Sequence, residues 1–108
     1  MYGNASLVVD FEREVEVDWI GVHLLAYPTW GIKIPDSLRI ECSASASGDD
    51  WAAAATVARP FDIASSFDSA EYVMGNEAPL NVSCRRVRLL LSSPGWTFLS
   101  EIEMSSDG

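Results

Sequence analysis

The chain has 108 residues, 48% of them hydrophobic, which suits one domain with one real core and leaves no room for two. Seven basic residues against 16 acidic ones give a formal charge of -9, which opposes binding to nucleic-acid phosphates or to an anionic membrane surface. No apolar run reaches membrane-spanning length, and MYGNASLVVDFE lacks the basic region of a signal peptide. Neutral ligands and cations remain open as partners.

In chain order the pattern is strand after strand. SLVVDF (Ser6 to Phe11) leads through charged residues into VEVDWIGVHLLAY, where Val15 and Val17 hold one parity and Ile20, Val22 and Leu24 the other. That switch predicts a turn or bulge at Asp18 and Trp19, with Trp19 packing at a strand edge. His23 is opposite in parity to its apolar neighbours and is expected to point outward, as a solvated side chain or as a hydrogen-bonding contact for a ligand. YPTWGIKIPDS is punctuated as a loop carrying Tyr27 and Trp30.

SLRIECSA follows as a half-buried strand, Leu38, Ile40 and Cys42 against Arg39 and Glu41. SASGDDW is a turn. WAAAATVA tempts a helix assignment, but it has no apolar stripe of period 3.6 and runs into β-branched Thr56 and Val57, so it is read as a strand, with Trp51 in the core. Phe61 to Ala70 is irregular, EYVMG is a short strand, and NEAPLNVSC is a loop.

In RRVRLLL, Val87, Leu89 and Leu91 alternate with Arg86, Arg88 and Leu90, while Arg85 falls on the apolar parity, which predicts an irregularity there. In WTFLSEIEM, Trp96, Phe98, Ile102 and Met104 oppose Thr97, Glu101 and Glu103. The Ser-Ser-Pro-Gly turn between the two runs predicts antiparallel neighbours. The arginine cluster is expected to pair with carboxylates on a neighbouring strand rather than to hold phosphate. The fold expected is an all-β antiparallel sandwich in a single domain spanning residues 1–108.

GIKIPDSLRIECSASASGDDW and CRRVRLLLSSPGWTFLSEIEM together resemble the discoidin-like modules, related to coagulation-factor C-type domains and to carbohydrate-binding module family 32. The variant with Gly-Ile-x-x-Pro in the first stretch and Gly-Trp-x-Phe in the second is similar to discoidin-like modules appended to bacterial glycoside hydrolases. The resemblance covers Val8 to Met104 and implies a jelly-roll sandwich of the galactose-binding-domain type. It also implies a non-catalytic module of an extracellular or cell-surface carbohydrate-active protein, with neighbouring domains of that parent and a glycan as partners. Family members carry a further Asp/Gly-rich segment ahead of the first strand, which supplies much of a calcium site beside a C-terminal Glu. That Glu matches Glu101, but without the segment no metal or other cofactor is expected.

By position Tyr27 and Trp30 resemble one binding loop of the family, and Trp96 another, although its parity also fits the core. An exposed aromatic stacks on the C–H face of a sugar while neighbouring polar side chains bond its hydroxyls, and Arg59 and His23 are the candidates for the second task. The alternative is a structural or protein-interaction sandwich without a sugar site. Catalysis finds no support: His23 has no partner that spacing identifies, and a carboxylate pair can be named from too many acids to mean anything. Cys42 and Cys84 can pair across neighbouring strands in an oxidising compartment or remain free buried thiols.

Overall fold

The computed structural model describes residues 4–26, 35–58, 70–93 and 98–105. Within them the chain forms β1 (Ala5–Val17), β2 (Trp19–Ala26), β3 (Ser37–Ser43), β4 (Ala52–Ala58), β5 (Ala70–Gly75), β6 (Val82–Ser92) and β7 (Phe98–Ser105). One antiparallel sheet has four strands in the order β1-β6-β3-β4, and the other has three in the order β5-β2-β7. The inner faces meet in a single core: Ile20, Val22, Leu24 and Met74 from one sheet, and Leu38, Ile40, Val87, Leu89 and Leu91 from the other, all nearly inaccessible to solvent. The protein is therefore an all-β sandwich. Among the described residues no helix is long and apolar enough to cross a membrane.

The parity switch at Asp18 marks the crossing between layers. Val17 ends β1 in the four-stranded sheet and Trp19 opens β2 in the other, so an inward residue on either side must come from a different phase. The crossing is tied down: the Asp18 N–H donates to the Ser105 carbonyl (3.0 Å), and the Asp18 carbonyl accepts from the Leu80 N–H (2.8 Å) and from Asn76 Nδ2 (2.9 Å).

The irregularity expected at Arg85 is present and is shared by two strands. Asp10 pairs with Arg86 and Val15 with Cys84, so four residues of β1 bulge out opposite Arg85 alone. Glu12 sits in that bulge with a φ of 67°, and its N–H donates to Asp10 Oδ1 (2.7 Å). Cys42 pairs with Val87, yet its Cα lies only 5.5 Å from that of Cys84, three residues along β6, and the two form a disulfide.

The hairpin expected from the Ser-Ser-Pro-Gly turn is not formed: β6 belongs to the four-stranded sheet and β7 to the three-stranded one. β6 already has β1 on one edge and β3 on the other, so the chain after it must leave for the opposite layer. β6 also begins at Val82, inside the segment read from sequence as a loop. In β7 the register slips between Leu99 and Glu101 opposite Leu24 and His23, which lets odd-numbered Leu99 join Ile102 and Met104 against the core.

Candidate functional site

Of the residues the sequence proposed for ligand contact, Tyr27, Trp30, Arg59 and Trp96 lie outside the described residues. His23 lies on the outer face of β2, as its parity predicts. It is not a free solvated side chain: only 18% of its surface is exposed, and Nε2 is 2.9 Å from Glu103 Oε2. The register sets Glu101 opposite His23 and Glu103 opposite Gly21, so the imidazole reaches one step diagonally to its partner.

Trp51 is not a core residue. It precedes β4 on the outer face of the four-stranded sheet, half-buried, with the guanidinium carbons of Arg86 and Arg88 each 4.6 Å from its ring centroid. Arg86 and Arg88 alternate with core residues Val87 and Leu89, so both must point outward, and the electron-rich ring attracts both cations. The ring is thereby occupied within the fold rather than held open for a ligand.

The arginines on this face are bonded in turn. Arg88 Nε donates to Glu41 Oε1 at 2.7 Å, and Arg39 Nε lies 3.1 Å from Glu41 Oε2, so a carboxylate only 8% exposed is held between two cations. Arg86 donates through Nε to the Ser45 carbonyl (2.8 Å) and through Nη2 to the Gly48 carbonyl (3.1 Å). Asp50 lies 3.5 Å from Arg86 and accepts from Ser45 Oγ (2.6 Å) and Ser43 Oγ (2.8 Å). Those two hydroxyls, Ser45 first, hold the Asp50 carboxyl below the usual aspartate range. Asp10 is lowered likewise, by the Glu12 N–H and then by Arg85, 3.1 Å away. The arginine cluster thus pairs with neighbouring carboxylates, as the sequence suggested.

The opposite face of the sandwich has a different character. Trp19 starts β2, and its indole lies across Gly21 on the same strand and Gly75 on β5, which face each other in the register. A Cβ built on Gly75 would come within 2.8 Å of Trp19 Cζ2, and one built on Gly21 would come within 2.6 Å of the same atom. Only residues without side chains admit a ring this close to the sheet. One cross-strand row therefore reads Gly75, Gly21, Glu103, and the next Val73, His23, Glu101. Trp19 is half-buried on this floor, Glu103 and Glu101 on the same face are exposed, and Val73 is 47% exposed.

At one end the ring borders an open recess of about 330 Å³, lined also by Asp18, Asn76, Glu77, Pro79 and Ser105. Asn76 shapes this recess rather than serving a ligand. Its Oδ1 accepts from the Ile20 N–H (2.8 Å), and its Nδ2 donates to the carbonyls of Asp18 (2.9 Å) and Ala78 (2.7 Å). A second hollow, of about 530 Å³, runs between β4 and residues 76–80 but has no aromatic wall. Among the described residues no three His, Cys, Asp or Glu side chains gather to hold a metal.

Sequence reading set Trp19 at a strand edge and overlooked it as a platform. The available signal was the pair Gly21 and Gly75: isolated glycines inside strands mark places where something approaches the backbone closely. No protein-family model matches this chain, and no curated protein matches it.

Proposed function

We propose that this protein is a non-catalytic saccharide-binding module, a jelly-roll sandwich of the galactose-binding-domain type that works as part of an extracellular carbohydrate-active protein. The observation that carries the reading is the Trp19 indole laid over Gly21 and Gly75, with carboxylates and an open recess beside it. A flat aromatic supported from below offers an apolar surface to the C–H face of a pyranose, and the flanking side chains take hydrogen bonds from its hydroxyls. The Cys42–Cys84 disulfide supports an oxidising compartment. Binding of this kind is shallow and reversible, with no bond made or broken in the sugar.

A glycan array probed with the wild-type protein, Trp19→Ala and Trp30→Ala, with and without calcium, tests this. Retention by the wild type that is lost in Trp19→Ala supports the reading. Retention lost only in Trp30→Ala would move the site to the loop suggested by resemblance, and no retention of any glycan would sink the proposal.

A further inference from the structure

A strand at the rim of a sheet leaves every second N–H and C=O without a ladder partner, and natural sheets guard such rims with charges and bulges. Among the described residues the rim strands are β1 and β4 of one sheet and β5 and β7 of the other. Three of them are guarded. β1 has exposed Asp10, Glu14 and Glu16 around the Glu12 bulge, β5 contains Glu71, and β7 shows exposed Glu101 and Glu103. β4 reads AAAATVA and contains no charged residue, on a chain whose formal charge is -9. Its one irregularity is at Ala54, passed over where Ile40 pairs with Ala55 and Glu41 with Ala53, and from Ala55 to Ala58 its register with β3 is regular. The hollow of about 530 Å³ is lined by the consecutive residues Ala54 to Ala58, of both parities, so it opens along the rim of β4 rather than on one face.

We infer that β4 is where two copies of this chain join, rim to rim and antiparallel, so that their four-stranded sheets become one continuous sheet. Charge singles out a second copy as the occupant. Across a twofold axis each strand meets its own sequence, so a rim with carboxylates confronts the same carboxylates, which bars β7. β4 brings no charge to the axis, and its alanines let two backbones approach to the 4.7–4.9 Å of a ladder. Residues that face outward in one copy stay outward in the next when the axis runs through a residue. Centred on exposed Thr56, the pairing sets Thr56 against Thr56, a favoured cross-strand pair, and Ala55 against Val57. One short strand from each side is a small contact, of the class that forms weak, concentration-dependent dimers. It uses up the rim in both copies, so assembly stops at two.

The experiment is sedimentation velocity over a concentration series, at low and at moderate salt. The expected result is a weight-average mass that rises from one chain toward two and no further. It should rise at lower concentration when salt is added, because two acidic chains repel each other at long range. Thr56→Glu and Thr56→Lys each set like charges against each other at the axis, and each alone is expected to stay at the mass of one chain. Mixed in equal amounts they are expected to associate at least as well as the wild type. Thr56 lies opposite Arg39 on β3, so Thr56→Glu gains a partner within its own sheet, and the unfolding midpoint checks that both variants fold. If Thr56→Lys does not fold, loss of the dimer in Thr56→Glu at an unchanged midpoint supports the inference. A wild type that stays a single chain at every concentration and salt level overturns it. So does a dimer that both variants keep, growth past two chains, or folded variants whose mixture does not associate.

Discussion

Placing a methyl group under the indole tests the geometry on which the candidate site depends. In Gly21→Ala the new Cβ would lie 2.6 Å from Trp19 Cζ2 and 3.0 Å from Cζ3, whereas carbon atoms rest at about 3.5–4.0 Å. Cη2 lies nearer still, so the ring must rise by more than about 1 Å, a displacement that forfeits at least roughly a quarter to a half of each pairwise attraction between ring and sheet. Overpacking of this kind costs about 1–3 kcal/mol. In a Trp19→Ala background the same methyl meets no ring, and removing a glycine from a strand is worth about 0.5–1 kcal/mol in the other direction. Urea unfolding followed by far-ultraviolet circular dichroism, on the wild type, both single variants and the double variant, should give a coupling energy of at least about 1 kcal/mol. If Gly21→Ala costs the same in both backgrounds, the indole does not lie on the glycines and the platform is lost.

Two further outcomes are expected. Replacing Cys42 and Cys84 together by serine releases a loop whose ends are 42 residues apart, and the chain-entropy estimate for such a loop is about 4 kcal/mol, to be measured as a fall in the urea midpoint. A midpoint unchanged by the double substitution would mean that the bridge constrains nothing. Asp50→Ala should lower the melting temperature at neutral pH, because a carboxyl whose pKa falls below its ordinary value of 3.8 in the folded state adds stability above that value. That contribution disappears as pH drops through the depressed pKa, so the gap between variant and wild type should close in strong acid. A gap that stays constant down to that pH would show that the charge on Asp50 is not what its serine partners stabilise.

Strand content was legible wherever one face is wet. Leu38, Ile40 and Cys42 against Arg39 and Glu41 gave β3 its phase, and Val87, Leu89 and Leu91 did the same for β6, because alternation is imposed locally by the pleat. The switch at Asp18 was legible for the same reason. The partnering of strands was not: a Pro-Gly turn between β6 and β7 looks the same in sequence whether it closes a hairpin or carries the chain across to another layer. What decided it was that β1 and β3, both distant in sequence, occupy the two edges of β6. Trp51 was misplaced because period-two patterning scores a tryptophan as apolar and has no means of registering the two guanidiniums that cover it. Trp19 was undervalued because its environment is made by Gly75, more than fifty residues away and on another strand.

The pairing of β1 with β6 also bears on how the chain reaches its fold. Ala5 is matched to Leu91 and Val17 to Val82, so among the described residues β1 pairs only with a strand that follows it much later in the chain. During synthesis β1 must wait, with Leu7 and Val15 uncovered, until β6 has been made. Closing so long a loop before any contact rewards it places this domain among the slow folders of high contact order. The waiting strand has its own safeguard in the Glu12 bulge and the acidic run around it, which make its lone edge a poor template for pairing with another chain.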